Sequence, residues 1–374
     1  MATLICAASR GCYNLHSSAF MKRICFLLPL LFSGGIQKLT SLVLTLTETM
    51  RYRGALGQWS WVLHRISGLG VVFFLTLHVI DTSWAVFYPE LYVRAIATYQ
   101  TPLFTIGEFG LVACVVYHAF NGLRIAIIDY KPVWWKYQQR AALIVLGLTI
   151  LVLIPVFILM FSHVLDFYND PNHQVIDQIE ALVEQWPFVV GIVVAAVAGI
   201  IFSGLHGVIA PDRTTARSKP QGSRLERFWW SYMRISGFLI LPLVFGHLAI
   251  MHIIQGVFDI TVAGQSVVGT GLINESGTAV EFVANRWNLL VGGVAVWRIY
   301  DFGLLALVVV HGFNGLRLVL TDYTSFSPLL RRGMMYMCVI GAVVLLVLGC
   351  AALLSTIDSG AIQIAEQAAS NLHP

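Results

Sequence analysis

Charge is scarce in this sequence. Lys, Arg, Asp and Glu supply 11% of its 374 residues, about half the share of an ordinary soluble domain. Hydrophobic residues supply 57% and fall into long runs, with the charges gathered in short clusters between them. That pattern excludes a large soluble core and describes a chain built for a lipid bilayer. Paired cysteines are also missing. Cys6, Cys12, Cys25, Cys114, Cys338 and Cys350 include no CxxC spacing, so the chain by itself binds neither an iron–sulfur cluster nor a structural zinc. There is no GxGxxG after a strand and no phosphate loop, so flavin or nucleotide chemistry belongs to another chain. The net charge of +4 resides in loops and implies no nucleic-acid partner.

Seven runs are long and apolar enough to cross about 30 Å of hydrocarbon at about 1.5 Å per residue. They lie near 59–84, 104–128, 140–163, 187–210, 229–256, 294–320 and 333–356. Lys131, Lys136 and Arg140 fall in one connection. Arg213, Arg217, Lys219, Arg224 and Arg227 fall in another, and Arg331 and Arg332 precede the last run. The opposite connections hold almost no basic residue. By the bias of Lys and Arg toward the inside, the first span starts inside and the C-terminus lies outside. Residues 1–49 hold a short apolar core, Met21 to Phe32, behind Met-Lys-Arg. They read either as an upstream extension with Met50 as the functional start, or as an extra helix in or across the membrane.

An internal repeat organises the rest. Glu108 to Tyr130 and Asp301 to Tyr323 match without a gap at 14 of 23 positions, at an offset of 193. Arg65-Ile66-Ser67-Gly68 recurs as Arg234-Ile235-Ser236-Gly237 at an offset of 169, which also carries His78 onto His247. The expectation is an all-α bundle of two parallel three-helix repeats. The first lies within 50–165 and the second within 229–374. Residues 166–228 hold an outer loop, a linker transmembrane helix and a basic inner loop. The linker crossing is required because both repeats start on the same side.

Four histidines occupy equivalent repeat positions inside spans: His78, His118, His247 and His311. A lone membrane histidine is most often an interhelical hydrogen bonder. Four in register suit bis-histidine haem ligation, which takes two neutral imidazoles on opposite faces of a porphyrin. Depth pairs them. His78 lies 13 residues past Arg65, about 20 Å deeper, and His247 matches it. His118 and His311 each lie 11 residues before an Asp-Tyr at the inner end. The expectation is His118 with His311 on an inner haem and His78 with His247 on an outer one. Gly122 and Gly315 leave space for a porphyrin edge, and Arg65, Arg234, Arg124 and Arg317 are candidates for propionates or a quinone carbonyl. His163, His206 and His252 have no repeat partner and read as structural. Glu108 and Asp301 read either as interfacial carboxylates or as members of a proton path.

The segments Trp61-Val62-Leu63-His64-Arg65-Ile66-Ser67-Gly68 and His118 to Tyr130 resemble the larger membrane-anchor subunit of succinate:quinone oxidoreductase. Met233 to Gly237 and His311 to Tyr323 resemble the smaller one. The resemblance implies haem b on His118 and His311. It places Arg65, Asp322 and Tyr323 at a quinone, and His64 and Arg234 near haem propionates. Trp61 stands where one-haem members carry a quinone-binding serine. His78 and His247 resemble the extra ligands of the two-haem branch, which implies menaquinone in preference to ubiquinone. The implied partners are an iron–sulfur subunit and a flavoprotein subunit, with a higher oligomer open. The implied place is a bacterial cytoplasmic membrane. A fumarate reductase anchor gives the same pattern, and a repeat-built transporter without haem is the reading from another class.

Overall fold

The computed structural model describes residues 55–99, 101–169, 186–209, 224–250, 265–267 and 272–372, with Ile179 and Val183. The expectations for residues 1–49, for the basic loop from 210 to 223 and for His252 lie outside the described residues. Among the described residues ten α-helices follow in order. They are α1 (Leu56–Phe87), α2 (Pro89–Tyr99), α3 (Pro102–Tyr130), α4 (Gln138–Asn169), α5 (Trp186–Ile209), α6 (Arg224–Leu248), α7 (Ala279–Asn288), α8 (Val296–Tyr323), α9 (Pro328–Leu354) and α10 (Ser359–Leu372). Seven are long and apolar enough to span a membrane: α1, α3, α4 with the turn before it, α5, α6, α8 and α9. The fold is an all-helical, multi-pass membrane bundle. Among the described residues its one departure is an antiparallel hairpin of Gln265–Val267 with Leu272–Asn274. Helices dominate because a backbone in hydrocarbon has no water to bond and must satisfy itself within its own segment.

Helices α1, α3, α6 and α8 form a ring. α1 touches α3 and α8, and α6 touches the same two. α4 lies against the outside of α3, and α9 against α8 and α1. The described ends of α1, α3, α4, α6, α8 and α9 gather Lys131, Lys136, Arg140, Arg224, Arg227, Arg331 and Arg332 at one side, here called the basic end.

The helix expected as a linker, α5, docks on α9. Gly199 meets the α9 backbone so closely that a Cβ there would run into the Gly333 carbonyl and lie 2.9 Å from the Met337 nitrogen. Ser203 Oγ donates to the Leu329 carbonyl at 2.7 Å. Small residues thus allow backbone contact between membrane helices that have no hydrophobic drive to associate.

The far end is closed by α2, α7 and α10, none of which was expected from the sequence. They are 10 to 14 residues long, too short for a search tuned to membrane-spanning runs. α7 is sunk among its neighbours, with Val280 and Phe282 buried and even Arg286 only 3% exposed. The Thr278 side chain caps its start: Oγ1 accepts from the Glu281 N–H at 3.3 Å, and Glu281 accepts from the Ser276 N–H, two residues before the cap, at 2.7 Å. Arg298 ties this cap to the bundle. It donates to the carbonyls of Trp287, Leu353 and Ser355 at 2.7, 2.6 and 2.7 Å, meeting groups that the end of α9 leaves open.

Gly199→Leu is expected to separate α5 from α9, an overpacking cost of about 1–3 kcal/mol. A lower unfolding temperature of the detergent-solubilised chain checks it. An unchanged temperature would mean the contact carries no stability.

Candidate functional site

The ring of α1, α3, α6 and α8 encloses a cavity of about 1440 Å³, beyond the roughly 300–1,000 Å³ of an ordinary ligand pocket. His64, His78, His118, His247 and His311 all line it, as do Arg65 and Arg234 toward one end and Tyr99, Arg286 and Asp301 toward the other.

Near the basic end, the surroundings of His118 and His311 fix their tautomers. The His118 Nδ1 lies 3.1 Å from the His64 carbonyl oxygen. A carbonyl only accepts, so Nδ1 carries the proton and Nε2 keeps its lone pair. The His311 Nδ1 lies 2.8 Å from Ser236 Oγ, whose own proton goes to the Tyr232 carbonyl at 2.6 Å. Ser236 must therefore accept from Nδ1–H, and His311 too presents Nε2. Ser67 holds the corresponding place beside His118, at 3.4 Å. Ser67 and Ser236 were not singled out in the sequence. Their signal was present in the repeated Arg-Ile-Ser-Gly and in the cost of a serine inside an apolar helix.

Glycines complete this layer. A Cβ at Gly68 would fall 2.8 Å from His118 Cε1, and one at Gly237 would fall 3.4 Å from His311 Cε1. The two glycines expected to admit a porphyrin edge, Gly122 and Gly315, both line the cavity. A Cβ would lie 3.5 Å from His64 Cε1 at Gly122 and 3.7 Å from Met233 Cε at Gly315. His64 itself stacks on His118, with centroids 4.0 Å apart and planes 7° apart.

Farther along, His78 and His247 face one another with centroids 6.1 Å apart and planes crossing at 78°. Phe74 stacks on His78 at 5.4 Å. Asp301 Oδ1 lies 4.0 Å from the His247 Nδ1. The same carboxylate accepts from Trp287 Nε1 at 3.1 Å and Arg286 at 3.3 Å. Asp301 is therefore a half-buried member of a side-chain network, with its side chain 16% exposed. Nearby, the Tyr99 hydroxyl donates to Asp81, whose second oxygen is buried without a partner among the described residues. Burial and this carboxylate push the Tyr99 hydroxyl well above its ordinary pKa, so it stays a donor.

At the basic end, the four residues expected around a quinone converge from two helices. Arg65 pairs with Asp322. Its guanidinium lies 4.3 Å from the Trp61 ring and 5.9 Å from the Tyr323 ring. The residues expected near propionates separate into two groups. Arg234 is bound to Asp129, with Nε donating at 2.9 Å, and sits 3.8 Å over Trp230. Arg124 and Arg317 bond only neutral groups among the described residues, the Gln138 carbonyl at 3.3 Å and Asn314 at 3.0 Å. The Arg124 Nε and His64 Nδ1 are buried with no partner there. Of the histidines without repeat partners, His206 bonds the Tyr336 hydroxyl at 2.8 Å and so serves the α5–α9 contact. The His163 side chain and His252 lie outside the description.

A family model for the succinate dehydrogenase/fumarate reductase transmembrane subunit matches residues 45–159. The succinate dehydrogenase 2 membrane subunit SdhC of Mycobacterium tuberculosis is 38% identical over 118 residues, which is 32% of this chain and 87% of that protein. The chain belongs to this family of membrane anchor subunits. The succinate dehydrogenase hydrophobic membrane anchor subunit of Halobacterium salinarum is 26% identical over 106 residues, 27% of this chain and 81% of its own length. No solved structure matches. The stretch of the anchor that matches the family model runs through α1 and α3 into α4, and so carries Trp61, His64, Arg65, His78 and His118. The relatives are membrane anchor subunits of succinate dehydrogenase.

Tyr99→Phe is expected to strip Asp81 of its bond inside the cavity wall, costing about 1–3 kcal/mol. Thermal unfolding of the solubilised anchor reads this, and Asp81→Asn added to it is expected to restore part of the loss. Equal unfolding temperatures for Tyr99→Phe and wild type would show the bond to be dispensable.

Proposed function

We propose that this anchor holds two haems b and passes electrons from an iron–sulfur subunit, docked on its basic end, to a membrane quinone. Succinate is oxidised on a flavoprotein subunit beyond. The observation that carries this reading is the single large cavity lined by four repeat-equivalent histidines, beside an Arg65–Asp322–Trp61–Tyr323 cluster. The chain reads as two anchor subunits fused in sequence, 50–165 and 229–374, joined through α5. The two-histidine layers favour menaquinone over ubiquinone, by resemblance to two-haem relatives.

The residues fit the prosthetic group. His78 and His247 face one another across the cavity with ring centroids 6.1 Å apart and would hold one haem iron as neutral imidazoles. His118 and His311 present Nε2 with Nδ1 already committed, as ligating imidazoles do. The unpartnered His64 Nδ1 and Arg317, both on the cavity wall, are suited to carboxylate groups of a porphyrin. Haem b, when bound, supplies a reversible one-electron carrier in a site closed to water at the far end by α7.

For the quinone, the chain supplies donors at the place where charge develops. Arg65 keeps four of its five N–H groups after pairing with Asp322, and these polarise a carbonyl oxygen. The Tyr323 hydroxyl, which makes no other bond among the described residues, donates to the same head group. Trp61 offers an apolar wall. Full reduction takes two electrons and two protons, and the exposed Asp322 carboxylate lies where protons from water reach the site.

Two measurements test this. Pyridine-haemochrome quantitation of the purified chain is expected to find two protohaems. His118→Ala and His78→Ala are each expected to remove one, and finding none in the wild type would end the proposal. Tyr323→Phe in the assembled complex is expected to lower quinone reductase turnover about tenfold or more, the loss of a hydrogen bond to developing charge. Full turnover would remove Tyr323 from the site.

A further inference from the structure

Arg234 and its neighbours reproduce the Arg65 cluster group for group. Trp230 precedes Arg234 by four residues, as Trp61 precedes Arg65, and Asp129-Tyr130 ends α3 as Asp322-Tyr323 ends α8. The fold closes both sets by the same exchange. An arginine from the first helix of one half pairs with the carboxylate ending the second helix of the other. Each guanidinium lies over its own tryptophan, at 4.3 Å for Arg65 and 3.8 Å for Arg234. A tyrosine stands at the edge of each, with the Tyr130 and Trp230 rings 6.0 Å apart and nearly perpendicular at 71°.

We propose that Trp230, Arg234, Asp129 and Tyr130 form a second quinone head-group site at the basic end. The proposal rests on the reading of the Arg65 cluster as the first. The chemistry of the site selects a neutral, planar, carbonyl-bearing ring. Asp129 cancels the charge of Arg234, which removes the drive to hold an anion such as a carboxylate or phosphate. Arg234 engages three of its five N–H donors, two on Asp129 and one on the Trp230 carbonyl at 2.9 Å, leaving two for an acceptor. The Tyr130 hydroxyl makes no bond among the described residues, and the residue is 58% exposed, with Trp230 at 45%. This leaves a hydroxyl donor and an apolar wall open where a quinone arrives from the lipid.

The ion pair of the second site is the more firmly held of the two. The Asp129 side chain is 28% exposed against 59% for Asp322, and Arg65 has one bond among the described residues where Arg234 has three. A quinone there is expected to exchange more slowly than at Arg65.

The test is photolabelling of the assembled complex in native membranes with an azido-naphthoquinone carrying an isoprenoid tail, followed by peptide mapping. Label is expected on two sets of peptides, one holding Trp61 or Tyr323 and the other Tyr130 or Trp230. The double variant Tyr130→Phe, Trp230→Leu is expected to lower the second label at least tenfold while the first label and the haem spectrum stay unchanged. Label on the first set alone overturns the second site and leaves the Arg65 reading intact. Label on the second set alone sustains this site and removes the Arg65 one. Label on neither overturns both.

Discussion

Everything polar inside this bundle must find its partner inside the bundle. Hydrocarbon supplies no hydrogen bonds, so a buried imidazole, guanidinium or carboxylate that is left alone costs several kcal/mol. The architecture follows from that constraint. His311 is held by a serine whose proton is already spent on a carbonyl, and His118 by a backbone carbonyl. Asp301 collects a tryptophan, an arginine and a histidine. Of the buried atoms without a partner among the described residues, those on His64, Asp81 and Asn314 belong to side chains that line the cavity, where a bound group would meet them.

The same constraint explains the two-ended character of the molecule. At the basic end, ion pairs sit beside exposed aromatic rings and face water and lipid together. At the other end, α7 is buried on nearly every side and carries Arg286 into the protein against Asp301 and the Trp297 ring, 4.2 Å away. One end is built for exchange with the surroundings and the other for exclusion of water.

Long-range order was legible in the sequence because the signals were long or duplicated. Seven apolar runs survive as helices, though the fifth, expected at 229–256, is described as Arg224–Leu248 with residues 251–256 outside the described residues, and Arg65, Asp322, Tyr323 and Trp61 meet in space. Two features were not legible. The short helices α2, α7 and α10 owe their place to tertiary burial, which a window of about 20 residues averages away. The partner of Arg234 was not foreseen either. The commitment of Arg234 to Asp129 depends on contact between α3 and α6, and no local pattern reports that contact.

The exchange of partners across the bundle has a genetic corollary. Arg65 needs a carboxylate from the far half of the chain, and Arg234 needs one from the near half. Neither half completes either ion pair, yet each supplies one partner to both. Duplicating a single ancestral half would therefore have produced two sites at a stroke. Afterwards a change in either copy would have registered at both places, so the copies were obliged to diverge together whether or not one gene encoded them.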